Sequence, residues 1–93
     1  MFDRILKLMR AKIRKRLYVM TLHAEEEMSD DGLAVYDVER AILTGKILER
    51  QKDRVTAEWK YRIRGEGLKG DQVEVIAKLS PTGKLVIITV YLL

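Results

Sequence analysis

The apolar residues of the first seventeen positions recur at spacings of three and four: Phe2, Ile5, Leu6, Met9, Ile13 and Leu17. That rhythm collects them on one stripe of an α-helix and leaves the other faces to basic residues. No Gly or Pro interrupts, so an amphipathic helix over 2–17 is predicted. Tyr18 to Thr21 reads as a short β-prone joint. Thr21 can cap a second helix over 22–30, because its side-chain oxygen accepts from an orphan backbone N–H. Glu25, Glu26 and Glu27 follow where the helix dipole favours anions, and Gly32 ends the helix. A third helix is expected over 35–44, with Val35, Val38, Ala41 and Ile42 on one face, Leu33 leading in and Gly45 closing it. Ala34 stands in its N-cap position and offers no capping side chain.

From Lys46 the period changes to two. Residues 46–52 read as a strand. In 57–64, Ala57, Trp59, Tyr61 and Ile63 take one face and Glu58, Lys60, Arg62 and Arg64 the other. Gly65 to Asp71 reads as a loop. In 72–79, Val73, Val75, Ala77 and Leu79 point inward, and Ser80-Pro81-Thr82-Gly83 has the residues of a type I turn. Residues 84–92 are apolar on both faces, as in a central or covered strand. Within that strand, strict alternation gives Thr89 and Tyr91 the facing of Ile87. The predicted fold class is α+β: three N-terminal helices followed by a four-stranded antiparallel meander. Residues 1–20 read as a basic helical extension and 21–93 as a single domain.

Composition narrows this picture. The chain has 93 residues, of which 47% are apolar and 34% charged, enough for one small core and too apolar for a disordered segment. It has no cysteine, which removes disulfides, zinc knuckles and thiol nucleophiles. The longest apolar run, Leu85 to Leu93, is broken by Thr89 and is too short to span a membrane. No secretory h-region is visible. The expectation is a soluble cytoplasmic protein with no membrane partner. Net charge is +4, unevenly spread. Residues 1–20 hold seven basic side chains against Asp3 alone, a balance of +6, and the remainder carries −2. Such asymmetry points to a polyanionic partner, either nucleic acid or an acidic protein surface.

Few residues carry chemistry. His23, the only histidine, sits near the start of the second helix with Glu27 four residues on. It is either a base oriented by Glu27 or a structural group docking the helix. Lys60, Arg62 and Arg64 project from one sheet face, where Lys78 of the next strand can join them. They suit phosphate, and equally suit a solvated strand surface. Tyr91 is either a core tyrosine with its hydroxyl at the rim or a group opening onto the sheet face. One histidine and scattered carboxylates give no metal-ligand spacing, and no cofactor is expected. Gly65-Glu66-Gly67-Leu68-Lys69-Gly70 matches the dinucleotide pattern in letters only, since it joins two strands rather than a strand and a helix.

From Thr21 onward the chain resembles a family of small prokaryotic domains of unknown function. The resemblance rests on His23-Ala24-Glu25-Glu26-Glu27-Met28, Gly32-Leu33, Asp37-Val38, Gly45-Lys46-Ile47-Leu48-Glu49 and Ile88-Thr89-Val90-Tyr91. That family is similar in turn to RelE- and BrnT-type toxins, metal-independent ribonucleases that act on messenger RNA and are neutralised by an antitoxin protein. The resemblance implies helices followed by a curved antiparallel sheet. Glu27 stands where the family commonly has Arg, and the basic first helix is an addition. On this reading Arg62, with Arg64, holds the reactive phosphate, His23 or Glu49 is the base, and Tyr91 assists proton transfer. Lys60, Arg64, Lys78 and the Arg14-Lys15-Arg16 run bind RNA. The alternative is a non-catalytic RNA- or protein-binding module that self-associates as a homodimer through residues 2–17.

Overall fold

The computed structural model describes all of residues 1–93 and contains three helices and five strands: α1 (Asp3–Arg14), β1 (Tyr18–Met20), α2 (Leu22–Asp30), α3 (Val35–Thr44), β2 (Lys46–Lys52), β3 (Trp59–Glu66), β4 (Gln72–Leu79) and β5 (Leu85–Leu92). The predicted four-stranded antiparallel meander is incorrect. The sheet has five strands in the order β1-β5-β4-β3-β2, and β1 runs parallel to β5, with Tyr18, Val19 and Met20 opposite Leu85, Val86 and Ile87. Three residues are too few to show a period of two, so the joint at 18–21 concealed a strand. Its presence places β5 between two hydrogen-bonded neighbours.

Helix α1 stops three residues short of the predicted end. Arg16 adopts a left-handed backbone (φ 56°). The Arg16 N–H donates to the Ile13 carbonyl at 3.1 Å and the Leu17 N–H to the Lys12 carbonyl at 2.9 Å. This pair of bonds is a Schellman ending built on Arg instead of Gly. It turns the chain so that the Leu17 carbonyl accepts from the Leu85 N–H at 3.1 Å and starts the parallel pairing.

The stripe of α1 is covered from within the chain. Met9 and Ile13 belong to the same buried cluster as Val38, Ala41 and Ile42 of α3 and the inward residues of β3, β4 and β5, with Phe2 and Ile5 packed against it. Burial of a side chain such as Met9 contributes about 1.5–3 kcal/mol. Leu17, the last residue of the predicted stripe, lies past the end of the helix and stays 42% exposed. Arg10 adds a polar tie, donating from Nε to the Ile42 carbonyl at 3.1 Å and from Nη2 to the Gly45 carbonyl at 2.7 Å. It thereby caps the C-terminus of α3. At the other end of α3, Asp37 replaces the missing cap: its carboxylate accepts from the Ala34 N–H at 2.8 Å and from the Leu68 N–H at 2.7 Å.

Helix α3 lies unusually close to β3. A Cβ on Gly65 would stand 1.9 Å from the Ala41 carbonyl oxygen, and one on Gly45 would stand 2.4 Å from that of Arg64. Only glycine permits this approach. The three helices share one buried cluster, so they cover one face of the sheet and leave the other without a helical layer.

Candidate functional site

Alternation in β3 sends Tyr61 and Ile63 under the helices and Lys60, Arg62 and Arg64 to the uncovered face. Register then decides their neighbours. Arg64 stands opposite Glu74 of β4, and Glu74 opposite Tyr91 of β5. Two irregularities complete the group. Between Ile47 and Glu49 the pairing slips by one residue, which brings Glu49 opposite Arg62; unbroken alternation would have placed Leu48 there. A second slip gives β5 one extra residue, Ile88, between the partners of Ile76 and Ala77. The facing of Tyr91 expected from strict alternation is therefore reversed. Ile87 goes under the helices, and Thr89 and Tyr91 come to the uncovered face. Each bulge re-aims one functional side chain.

At the centre lies Glu74, with 2% of its side chain exposed. Arg62 Nη1 donates to both of its oxygens at 3.2 Å. Arg64 donates to Oε2 from Nε at 2.9 Å and from Nη2 at 2.6 Å. The Tyr91 hydroxyl donates a short hydrogen bond to Oε1. Arg62 Nε also donates to Oε1 of Glu49 at 3.1 Å. A buried carboxylate without partners would be strongly unfavourable; here five donor contacts compensate its lost hydration. Arg62 Nη2 and Arg64 Nη1 bond no protein atom.

The titration behaviour follows this arrangement. Burial pushes the Glu74 carboxyl up, but the Tyr91 hydroxyl, Arg64 and Arg62 together outweigh it, so its pKa lies below the usual glutamate value. Tyr91 is raised, first by donating to Glu74 and then by burial. Glu49 is lowered by its bonds from Gln51 and Arg62. At neutral pH the group therefore holds two guanidinium cations, two carboxylates and a neutral phenol.

The other predicted site residues divide. Lys60 shares the uncovered face, with Gln51 opposite it. Lys78 is engaged with Glu58 at 2.9 Å. Lys46, opposite Arg64, adds a cation that sequence reasoning passed over. Beside Arg64 is an open cleft of about 380 Å³ lined by Thr44, Lys46, Leu48, Glu66 and Gln72. Arg14, Lys15 and Arg16 are exposed at the end of α1, outside this group.

His23 is also outside it. It is 66% exposed, and its Nε2 lies 3.1 Å from Glu27 Oε1. That same oxygen accepts from the Val90 N–H at 3.2 Å, and Asp31 accepts from the Leu92 N–H at 2.9 Å. Four residues apart, on α2 and at its C-cap, the two carboxylates take up N–H groups of β5 beyond the reach of the short β1. They protect an edge that would otherwise be open to strand pairing. The contacts to the sheet are made by Glu27 and Asp31, whereas the one contact of His23 is Glu27 of its own helix. No cluster of three His, Asp or Glu side chains suited to a metal ion is present.

Glu74 was missed entirely. Its sequence signal is an acidic residue inside the apolar run Val73-Glu74-Val75, on the same parity as a facing arginine.

The family described as "Domain of unknown function (DUF4258)" matches residues 20–92, and the chain belongs to it. No curated protein and no solved structure shows a match to the chain.

Proposed function

We propose that this member of the DUF4258 family is a metal-independent endoribonuclease that binds RNA across the uncovered sheet face. The observation that carries the reading is the Arg62–Glu49 pair at 3.1 Å, held beside Arg64 by the buried Glu74. It sets a carboxylate base next to two cations that keep N–H groups without a protein partner. Transesterification needs those parts: a base for the 2′-hydroxyl, and donors for the charge that develops on the phosphorane oxygens.

In this scheme the free Nη2 of Arg62 and Nη1 of Arg64 hold the non-bridging oxygens. Glu49 removes the 2′-hydroxyl proton as that oxygen attacks phosphorus. The bond to the 5′ oxygen breaks, and the Tyr91 hydroxyl, turned from Glu74, supplies the leaving group's proton. The products are a 2′,3′-cyclic phosphate and a 5′-hydroxyl. His23 takes no part. Glu74 stays ionised and acts as a positioning residue.

A second reading has its own observation. Glu49 and Glu74 together balance the charge of Arg62 and Arg64, which suits a binding module that holds RNA without cutting it. Incubating end-labelled RNA of mixed sequence with the protein in EDTA separates the two. Cleavage lost in Arg62→Ala supports the enzyme, whereas retention of RNA without cleavage supports the module.

A further inference from the structure

Trp59 is the only tryptophan of the chain, and 40% of its surface is exposed. Its parity places it with the buried Tyr61 on the helix-covered face of β3, yet it lies beyond the shelter of the helical layer. Between the first turn of α1 and this strand end is a cleft of about 260 Å³, lined by Ile5, Trp59, Tyr61 and Leu79, with Glu58 the only charged lining residue. Phe2 packs edge-on to Tyr61 at 5.9 Å, which fixes the inner wall.

Two cations stand over the outer wall. The Arg50 guanidinium is 4.1 Å and the Lys52 ammonium 4.7 Å from the Trp59 ring centre. Register places Lys52 opposite Trp59 and Arg50 opposite Tyr61, so both project on the cleft side of β2. Neither pairs with a carboxylate of this chain. Contact with the indole holds their heads at the rim, where they remain free to meet an anion.

We propose that this cleft docks an acidic amphipathic segment of a partner protein, with an apolar side chain in the cleft and carboxylates on Arg50 and Lys52. The charge around an apolar recess selects that chemistry, since the partner must supply both an apolar anchor and negative charge. RNA fits less well, because stacking a base requires an open ring face and Arg50 already lies over the indole. The surface is distinct from the Glu74 group. Trp59 and Arg64 lie about 17 Å apart along β3 and on opposite faces of the sheet.

The test uses the full chain. A phage-displayed library of random twelve-residue peptides is selected on the wild-type protein and counted against Arg50→Glu/Lys52→Glu, a surface change that leaves the core untouched. Enriched peptides are then titrated while the emission of Trp59 is followed. The expected result is enrichment of sequences that combine Asp or Glu with one large apolar residue, a saturable change in emission, and about tenfold weaker binding to the double variant. Binding of such peptides to Arg62→Ala stays at the wild-type level. The proposal is overturned by enrichment of neutral or basic peptides, by equal binding to the double variant, or by no enrichment at all. It is equally overturned if a twelve-nucleotide single-stranded RNA changes the Trp59 emission and displaces the selected peptides.

Discussion

Arg64 Nη2 lies 2.6 Å from Oε2 of Glu74, a carboxylate that keeps only 2% of its side chain in contact with solvent. The pair spans β3 and β4 in register and is joined by Arg62 and Tyr91. Removing the charge while keeping the shape therefore tests the whole group. Glu74→Gln should destabilise the domain by about 2 kcal/mol, less than a fully buried pair because both guanidiniums can turn to water. The melting temperature should fall by on the order of 10 °C. If RNA is bound here, the released arginines should raise its affinity while cleavage falls, a split that simple unfolding would not give.

The same carboxylate sets an acid dependence. Its pKa is lower folded than unfolded, so its contribution is complete above the unfolded value of about 4.3 and is lost as pH falls through the folded one. The gap in melting temperature between wild type and Glu74→Gln should be constant from neutral pH to roughly pH 5.5 and narrow below about 4.5. Thermal unfolding followed by circular dichroism across that range checks it. An unchanged gap at pH 3 would show that the interaction does not depend on ionisation.

Gly65→Ala probes the contact of α3 with β3. The new methyl would meet the Ala41 carbonyl oxygen at 1.9 Å, and backbone on both sides would have to move. A loss of about 3 kcal/mol is expected, read from urea denaturation. Gly70→Ala meets no atom within 4 Å but sits at φ 83°, so its smaller cost should come from the backbone alone.

The edge of β5 makes a separate claim about α2. Replacing Glu27 and Asp31 together by Ala should speed hydrogen exchange at the Val90 and Leu92 amides and increase self-association through that edge. His23→Ala should change stability by less than about 0.5 kcal/mol, and any cleavage activity should remain. Loss of cleavage in a folded His23→Ala protein would return His23 to the reaction.

These positions show how far the sequence could be read. The helices were legible because Phe2, Ile5, Met9 and Ile13, and likewise Val38, Ala41 and Ile42, keep a helical period over many residues. Arg62 and Arg64 on one face followed directly from alternation. The facing of Tyr91 did not, because a single extra residue at Ile88 inverts every later position of β5 and leaves no mark on composition. Leu48 acts in the same way for Glu49. Strand β1 was hidden by its length, and the end of α1 by an arginine taking the left-handed conformation usually left to glycine. Glu74 was overlooked because one acidic residue in an apolar strand acquires meaning only when the partner strand supplies its arginines.

The account is tested most directly by the ends of the RNA fragments it predicts. Wild-type protein in EDTA should yield 2′,3′-cyclic phosphate and 5′-hydroxyl termini, and should leave the same RNA intact where a single 2′-deoxy nucleotide replaces the one at the cut. Glu49→Gln should slow the reaction by about 100-fold, and Arg62→Ala by at least as much, with both variants folded. Products carrying 3′-hydroxyl and 5′-phosphate ends, cleavage at the deoxy position, or full activity in Glu49→Gln would contradict it.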